Sequence, residues 1–195
     1  MANEARIRQV DGDEERQQVR EFFIARIPGA TAFPLPNSQM DAALGIPSHI
    51  WIAEDTSGGL IGAVFASNNP ADVIEWRLQG QDEPADVIAA EMSMIHELAV
   101  APHAQRAGIG SRLARAALDD AQASGAAIAT LIYDQRAPGL NRFYASLGFR
   151  VLGPAEPLVV RFAGLRGTAV TFGQSDESFR WAAKVLNSSR CRISN

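Results

Sequence analysis

Residues 95–113 read Ile-His-Glu-Leu-Ala-Val-Ala-Pro-His-Ala-Gln-Arg-Ala-Gly-Ile-Gly-Ser-Arg-Leu. The apolar run Ile95 to Val100 predicts a strand that stops at Pro102, and Gln105-Arg106-Ala107-Gly108-Ile109-Gly110 then turns into an Ala/Leu/Arg helix. A strand that passes through such a turn into a helix leaves several backbone N–H groups unpaired at the positive end of the helix dipole. That arrangement captures phosphate. Gly108 and Gly110 let the backbone approach the anion with no side chain in the way. A nucleoside-triphosphate loop needs Gly-Lys-Ser/Thr, but Ser111-Arg112 follows Gly110 and Lys184 is the only lysine. A dinucleotide fingerprint needs a third small residue where Leu113 stands, and an acidic strand end about 20 residues on. Both readings fail, which leaves a phosphate turn of another kind.

Past the helix (about Ile109 to Ser124, closed by Gly125), the apolar run Ala127 to Tyr133 predicts a second strand. It leads to Asn141-Arg142-Phe143-Tyr144-Ala145-Ser146-Leu147-Gly148-Phe149, a short helix with Gly148 as its C-terminal glycine. Together the two segments resemble the GNAT superfamily of acetyl-CoA-dependent N-acetyltransferases. Gln/Arg-x-x-Gly-x-Gly/Ala is that family's pyrophosphate loop, and Phe/Leu-Tyr-x-x-Leu-Gly-Phe closing a short helix is its other signature. Order, spacing and content agree over roughly residues 49–153.

The resemblance implies an α/β (α+β) fold. Its sheet is mixed, mostly antiparallel and twisted, with six to seven strands, splayed central strands and flanking helices. It implies acetyl-CoA as cosubstrate, no metal, and direct acetyl transfer to a primary amine of a small molecule or a peptide N-terminus. The backbone amides of Arg106, Ala107, Gly108, Ile109, Gly110 and Ser111 would hold the pyrophosphate, helped by the side chains of Gln105, Arg106 and Ser111. For Arg112 a solvated helix face explains the residue as well as phosphate contact does. Leu98, Ala99 and Val100 would offer backbone hydrogen bonds to the pantetheine arm lying between the splayed strands, one of them polarising the thioester carbonyl. Tyr144 would protonate the departing thiolate, a phenol being a donor of comparable basicity. Glu97, on the strand facing the cleft, is the candidate base, with His96, Glu91 and Asp134 as competitors; His96 also fits a purely structural role. One position departs from the family. Many members carry a coenzyme-contacting asparagine seven residues before the tyrosine, where this chain has Ala137; Asn141, on the same helix face as Tyr144, is the candidate substitute. That departure motivates a second reading, a non-catalytic acyl-CoA-binding sensor or interaction module.

These groups need a scaffold, and the rest of the chain predicts one. Arg6 to Val10 predicts a first strand. Asp11 or Asp13 caps a helix with Val19, Phe22, Phe23 and Ile27 at helical spacing, ended by Pro28-Gly29. Residues 30–47 predict a loop with a short helix around Gln39 to Leu44. With the late hairpin (roughly 150–170) that loop would border the acceptor. Phe33, Pro34, Leu35, Pro36 and Met40 would form an apolar wall, with Asp41, Glu75, Asp82, Glu83 and Glu91 as nearby carboxylates. Ile50 to Ala53 and Leu60 to Phe65 flank Asp55-Thr56-Ser57-Gly58-Gly59, a hairpin turn. Residues 67–87, with Asn68-Asn69-Pro70 and Asp82-Glu83-Pro84, predict a polar loop. Gly148 to Gly153, Leu158 to Phe162 and Ala169 to Phe172 predict late strands. Ser175-Asp176-Glu177 opens a predicted helix carrying Phe179, Ala182, Ala183 and Leu186 on one face, either docked on the core or forming a dimer seam; residues 188–195 predict a frayed end.

At 195 residues and 47% hydrophobic, the chain fits one compact domain with a sizeable core. The resemblance implies an N-acetyltransferase domain over residues 1–165, with a C-terminal extension, 166–195, packed on the same domain. A net charge of −4 gives no electrostatic reason to bind nucleic acid or an anionic membrane. No apolar stretch approaches the ~20 residues of a membrane span, and Met-Ala-Asn-Glu-Ala-Arg lacks an apolar signal core. Cys191 is the only cysteine, so spacing supplies neither a disulfide framework nor a metal site. The expectation is a soluble cytoplasmic enzyme whose partners are acetyl-CoA and an amine, with a homodimer through the last helix as an additional option.

Overall fold

Alternating apolar runs and glycine turns build most of the strands where the sequence places them. A computed structural model of the chain describes residues 5–27, 35, 39, 48–68, 70–137, 139–166, 168–173 and 178–194. The short helix expected at 39–44, and Phe33, Pro34, Pro36, Met40 and Asp41 of the expected acceptor loop, lie outside the described residues except for Gln39. In chain order the elements are β1 (Arg6–Gln9), α1 (Gly12–Ile24), β2 (Ser48–Glu54), β3 (Leu60–Ser67), α2 (Pro70–Leu78), α3 (Asp82–Glu91), β4 (Met92–Val100) and α4 (Ile109–Ala123). There follow β5 (Ile128–Asp134), α5 (Leu140–Ser146), β6 (Arg150–Val151), β7 (Leu158–Phe162), β8 (Ala169–Phe172), β9 (Phe179–Val185) and β10 (Cys191–Ile193). Seven strands form one mixed sheet in the order β1-β2-β3-β4-β5-β9-β6, and three form a second, β10-β7-β8. The chain divides into two compact units, Met1–Ser67 with Ile95–Asp120, and Asn68–Met94 with Ala121–Asn195.

In the first unit the predicted hairpin forms as β2 and β3, with Trp51 opposite Val64. Its turn is held by Asp55, whose Oδ1 accepts the Ser57 hydroxyl at 2.6 Å and the amides of Ser57 and Gly59 at 2.8 and 2.9 Å. Helix α1 buries Val19, Phe22 and Phe23 but stops at Ile24, short of Pro28-Gly29. Asp11 occupies its N-cap without a side-chain cap; Glu15 accepts the Asp11 amide at 2.7 Å instead. Helix α4 buries Ile109, Leu113, Ala114, Ala117 and Leu118, one stripe at helical spacing.

Both ends of that stripe are fixed within the unit. A Cβ on Gly62 of β3 would lie 2.9 Å from Leu113 Cδ1 and 3.2 Å from Ile109 Cγ2, so the glycine lets the first turns of α4 sit on the strand. Gly62→Val therefore overpacks this contact and costs about 1–3 kcal/mol, read as a lower urea midpoint; an unchanged midpoint would mean that α4 yields without cost. Farther along, Asp120 Oδ2 is hydrogen-bonded to Gln9 Nε2 at 2.9 Å, His49 Nδ1 at 2.8 Å and Trp51 Nε1 at 3.1 Å. One carboxylate oxygen thus ties α4 to β1 and β2.

The second unit corrects three expectations. Residues 67–87 are not a loop but chiefly the helices α2 and α3. Pro70 opens α2, and Pro84 is the third residue of α3. Proline is tolerated in a first helical turn because the missing N–H has no intrahelical acceptor there. Asp82 and Glu83 suit the positive end of the α3 dipole. The turn signals of the sequence were helix starts.

The predicted last helix is instead the strand β9, and the cap proposed at Ser175-Asp176-Glu177 lies outside the described residues. Ala182 is paired with both Leu131 of β5 and Val151 of β6, so β9 is an interior strand. Trp181, Ala182 and Ala183 are consecutively buried, and such a run lacks the alternation that marks a half-exposed strand. The helix face offered as a dimer seam does not exist. Residues 191–193, expected to fray, pair with β7 as β10. The Cys191 thiol is buried beside the Ala127 carbonyl at 3.2 Å, and burial pushes it up to about 11, which makes it a poor nucleophile. Among the described residues no helix is long and apolar enough to cross a membrane.

Candidate active site

The glycine turn before α4 is wound through left-handed backbone. Beyond β4, Pro102–Ala104 make a single 3₁₀ turn, and Arg106 and Gly108 both adopt left-handed backbone, φ 62° and 78°. A left-handed arginine costs about 1–2 kcal/mol, strain of the kind that collects at functional sites. Alternating hands point successive amides to one side, making an anion-binding concavity. The Arg112 amide bonds to the Gly108 carbonyl at 3.1 Å, so the amides of Ile109, Gly110 and Ser111 precede the first intrahelical bond of α4. Nothing lies within 4 Å of a Cβ built on Gly108, so the turn is open there rather than plugged by its own side chains. These residues fit a diphosphate.

Gln105, an expected phosphate helper, and Arg112, open between phosphate contact and a solvated helix face, both have other partners. Gln105 Nε2 donates to the Val100 carbonyl at 3.1 Å, bracing the turn against the end of β4. Arg112 Nη2 donates to the Ala5 carbonyl at 2.8 Å and so holds the segment before β1. Neither contact has a local sequence signal. Ala101 N–H bonds to Ile61 O at 2.8 Å, which anchors the end of the strand bearing Leu98, Ala99 and Val100 to β3.

Glu97 lies on the same strand of the first unit, half-buried. Loss of water around it pushes its carboxyl up to about 7, close to the value an acceptor of amine protons needs. Its competitors are engaged elsewhere. His96 stacks on Phe65, with ring centroids 4.8 Å apart, and its Nε2 is hydrogen-bonded with Ser67 Oγ at 2.8 Å. Burial pushes that imidazole down to about 4, so it is a neutral, structural histidine. Asp134, in the second unit, is paired with Arg136 at 2.7 Å and accepts its backbone amide at 2.8 Å, contacts that hold its carboxyl below the usual range. Glu91 is buried at the end of α3, with Oε1 2.9 Å from Arg190 Nη2. Among the described residues its Oε2 has no hydrogen-bond partner.

Tyr144, in the second unit, sits on α5 with only 7% of its surface exposed. Its ring meets those of Phe143, Tyr133 and Phe149 at centroid distances of 5.0, 5.2 and 5.9 Å. Burial first, and Tyr133 second, push its hydroxyl up to about 12. The Tyr133 hydroxyl donates to Asn141 Oδ1, so the Asn141 carbonyl oxygen is engaged. Gly148 (φ 84°) ends α5 as expected. Lys184 of β9 adds a bond from Nζ to the Leu147 carbonyl at 2.7 Å, capping the helix that carries the phenol.

A family model described as an acetyltransferase (GNAT) domain matches residues 47–151. No protein of curated function is similar enough in sequence to count as a match. Solved structures share the architecture. A GNAT family acetyltransferase from Elizabethkingia anophelis with acetyl-CoA bound is 15% identical, with TM-score 0.53, over 95% of this chain and 100% of that one. A Bacillus subtilis acetyltransferase in complex with CoA is 14% identical, with TM-score 0.55, over 94% and 99%. The ribosomal-protein-S18-alanine N-acetyltransferase of Escherichia coli is 13% identical, with TM-score 0.56, over 94% of each. The glycine turn and the tyrosine helix both fall inside the matched segment, and by that match the chain belongs to the GNAT acetyltransferases.

Proposed function

We propose that this acetyltransferase binds acetyl-CoA through the turn at Gln105–Ser111 and passes its acetyl group directly to a primary amine, of a small molecule or a peptide N-terminus. The observation that carries the reading is the wound turn opening α4, with left-handed Arg106 and Gly108 and amides lacking helical acceptors. The two solved relatives holding acetyl-CoA and CoA support the choice of coenzyme. In the proposed reaction the amine nitrogen attacks the thioester carbon and the C–S bond breaks. Glu97 accepts the proton lost by nitrogen, and Tyr144 gives one to the departing sulfur. A backbone N–H among Leu98, Ala99 and Val100 steadies the charge that develops on the carbonyl oxygen. Asn141 offers its amide to the coenzyme arm in place of the asparagine that Ala137 lacks.

Thiol release from acetyl-CoA with a panel of amines tests the reaction; no release above the uncatalysed rate with any primary amine would sink it. Glu97→Gln tests the base. The parent rate rises with pH through about 7 as Glu97 loses its proton, whereas the variant lacks that limb and turns over roughly 10²-fold more slowly at pH 8, the low end of the usual range because water can substitute. Stability moves the opposite way. The Glu97 carboxyl is raised from 4.5 to about 7 in the folded chain, so its stabilising effect is complete below 4.5 and lost as pH climbs through 7. Glu97→Gln should therefore melt with the parent at pH 4 and above it at pH 8; coincident melting at both values would show that the carboxyl is not desolvated.

A further inference from the structure

We propose that the second unit carries its own binding site for a phosphate-type oxyanion, independent of the coenzyme turn, where β7, β10 and the turn before β10 meet. Register places Arg192 directly opposite Arg161, and Cys191 opposite Phe162. Phe162 and Cys191 are buried, so by strand alternation the two arginines share the other face side by side. Like charges directly opposite on an antiparallel pair repel, and a bound anion removes that repulsion. Arg190, Ser188 and Ser189 line the same cavity as these two arginines, about 260 Å³ in volume, and its described lining contains no carboxylate.

The groups around this cavity are held in place. Arg190 donates Nη1 to the Gly125 carbonyl at 2.8 Å and Nη2 to Glu91 at 2.9 Å, so its charge is already balanced and it holds the turn carrying Ser188 and Ser189 in place rather than serving as a ligand of the anion. Arg161 is braced by Nε to Ser194 Oγ at 3.0 Å. Planar guanidinium groups match phosphate oxygens in pairs, and fixing them beforehand lowers the ordering cost of binding. The volume lies below the roughly 300–1,000 Å³ of pockets for drug-sized ligands, which suits inorganic phosphate or the phosphate end of a small metabolite. A net charge of −4 argues against an extended nucleic acid as the ligand.

Calorimetry at constant ionic strength tests the site with two probes, inorganic phosphate and glycerol phosphate. Both are titrated into the full chain carrying Gly108→Asp, which silences the coenzyme turn. Saturable binding of either is expected, weakened at least tenfold by adding Arg192→Ser; Arg192 is exposed, so the fold tolerates the change. Tighter binding of glycerol phosphate assigns the site to a phosphorylated metabolite, and equal or tighter binding of inorganic phosphate assigns it to the free anion. Arg192→Ser alone should leave acetyl-CoA affinity within twofold of the parent. The proposal fails if neither probe saturates, if Arg192→Ser leaves binding unchanged, or if that variant weakens acetyl-CoA as much as phosphate.

Discussion

Gly108→Asp should abolish acetyl-CoA binding. Gly108 holds φ 78°, a conformation glycine adopts freely, and a Cβ there meets nothing within 4 Å. Aspartate tolerates left-handed backbone better than most residues, so the turn itself survives. What the variant adds is a carboxylate at the concavity proposed to receive a diphosphate. Two like charges about 4 Å apart repel by about 4 kcal/mol at a protein surface, a loss of roughly 10³-fold in affinity from a single phosphate charge. Gly108→Ala isolates the backbone contribution, about 1 kcal/mol and therefore only several-fold. Isothermal titration with acetyl-CoA reads both variants. Undiminished affinity in Gly108→Asp would remove the basis shared by the acetyltransferase reading and the acyl-CoA-sensor reading.

Tyr144→Phe should be the more damaging of the two catalytic substitutions. A buried ring among Tyr133, Phe143 and Phe149 leaves little room for water to replace the lost hydroxyl, so kcat is expected to fall toward the upper part of the ~10²–10⁴-fold range for general acid catalysis. The KM for acetyl-CoA should change by no more than a few-fold, because the phenol is proposed to act on developing charge rather than to hold the coenzyme. With its hydroxyl pushed up to about 12, Tyr144 stays protonated over the whole working range. The parent therefore shows no alkaline decline from this group below about pH 11, and the variant keeps the rise through 7 that belongs to Glu97. A variant turning over at the parent rate would return Tyr144 to a packing role.

The parts of the fold that were legible in the sequence are those whose signals are local. The Asp55–Gly59 turn, the Gly108 turn, the Gly125 and Gly148 helix ends and the strands around them each depend on a few adjacent residues. The misread elements depend on distant ones. Residues 179–185 carry a spacing that fits a helix face, and only pairing with β5 on one side and β6 on the other makes them a strand. Residues 70–91 place prolines where a turn and a first helical turn look alike. Around the candidate site, motif and strand position are what single out Tyr144 and Glu97 as the proposed catalytic groups. The bonds from Gln105 to Val100, from Arg112 to Ala5 and from Lys184 to Leu147 were not, because nothing in the sequence says which carbonyl a long side chain will reach. The three donors on Asp120 come from residues 69 to 111 positions away and were equally hidden.

The capping bond from Lys184 has an outcome for the protein's own chemistry. It is the sole lysine in the sequence, and its nitrogen is already donating to a helix-end carbonyl. A catalyst that works beside a reactive thioester thus exposes almost no side-chain nucleophile of the kind it is proposed to modify. Spontaneous acylation by its own donor has little to attack, and amine-directed dyes or crosslinkers would report chiefly on the terminus.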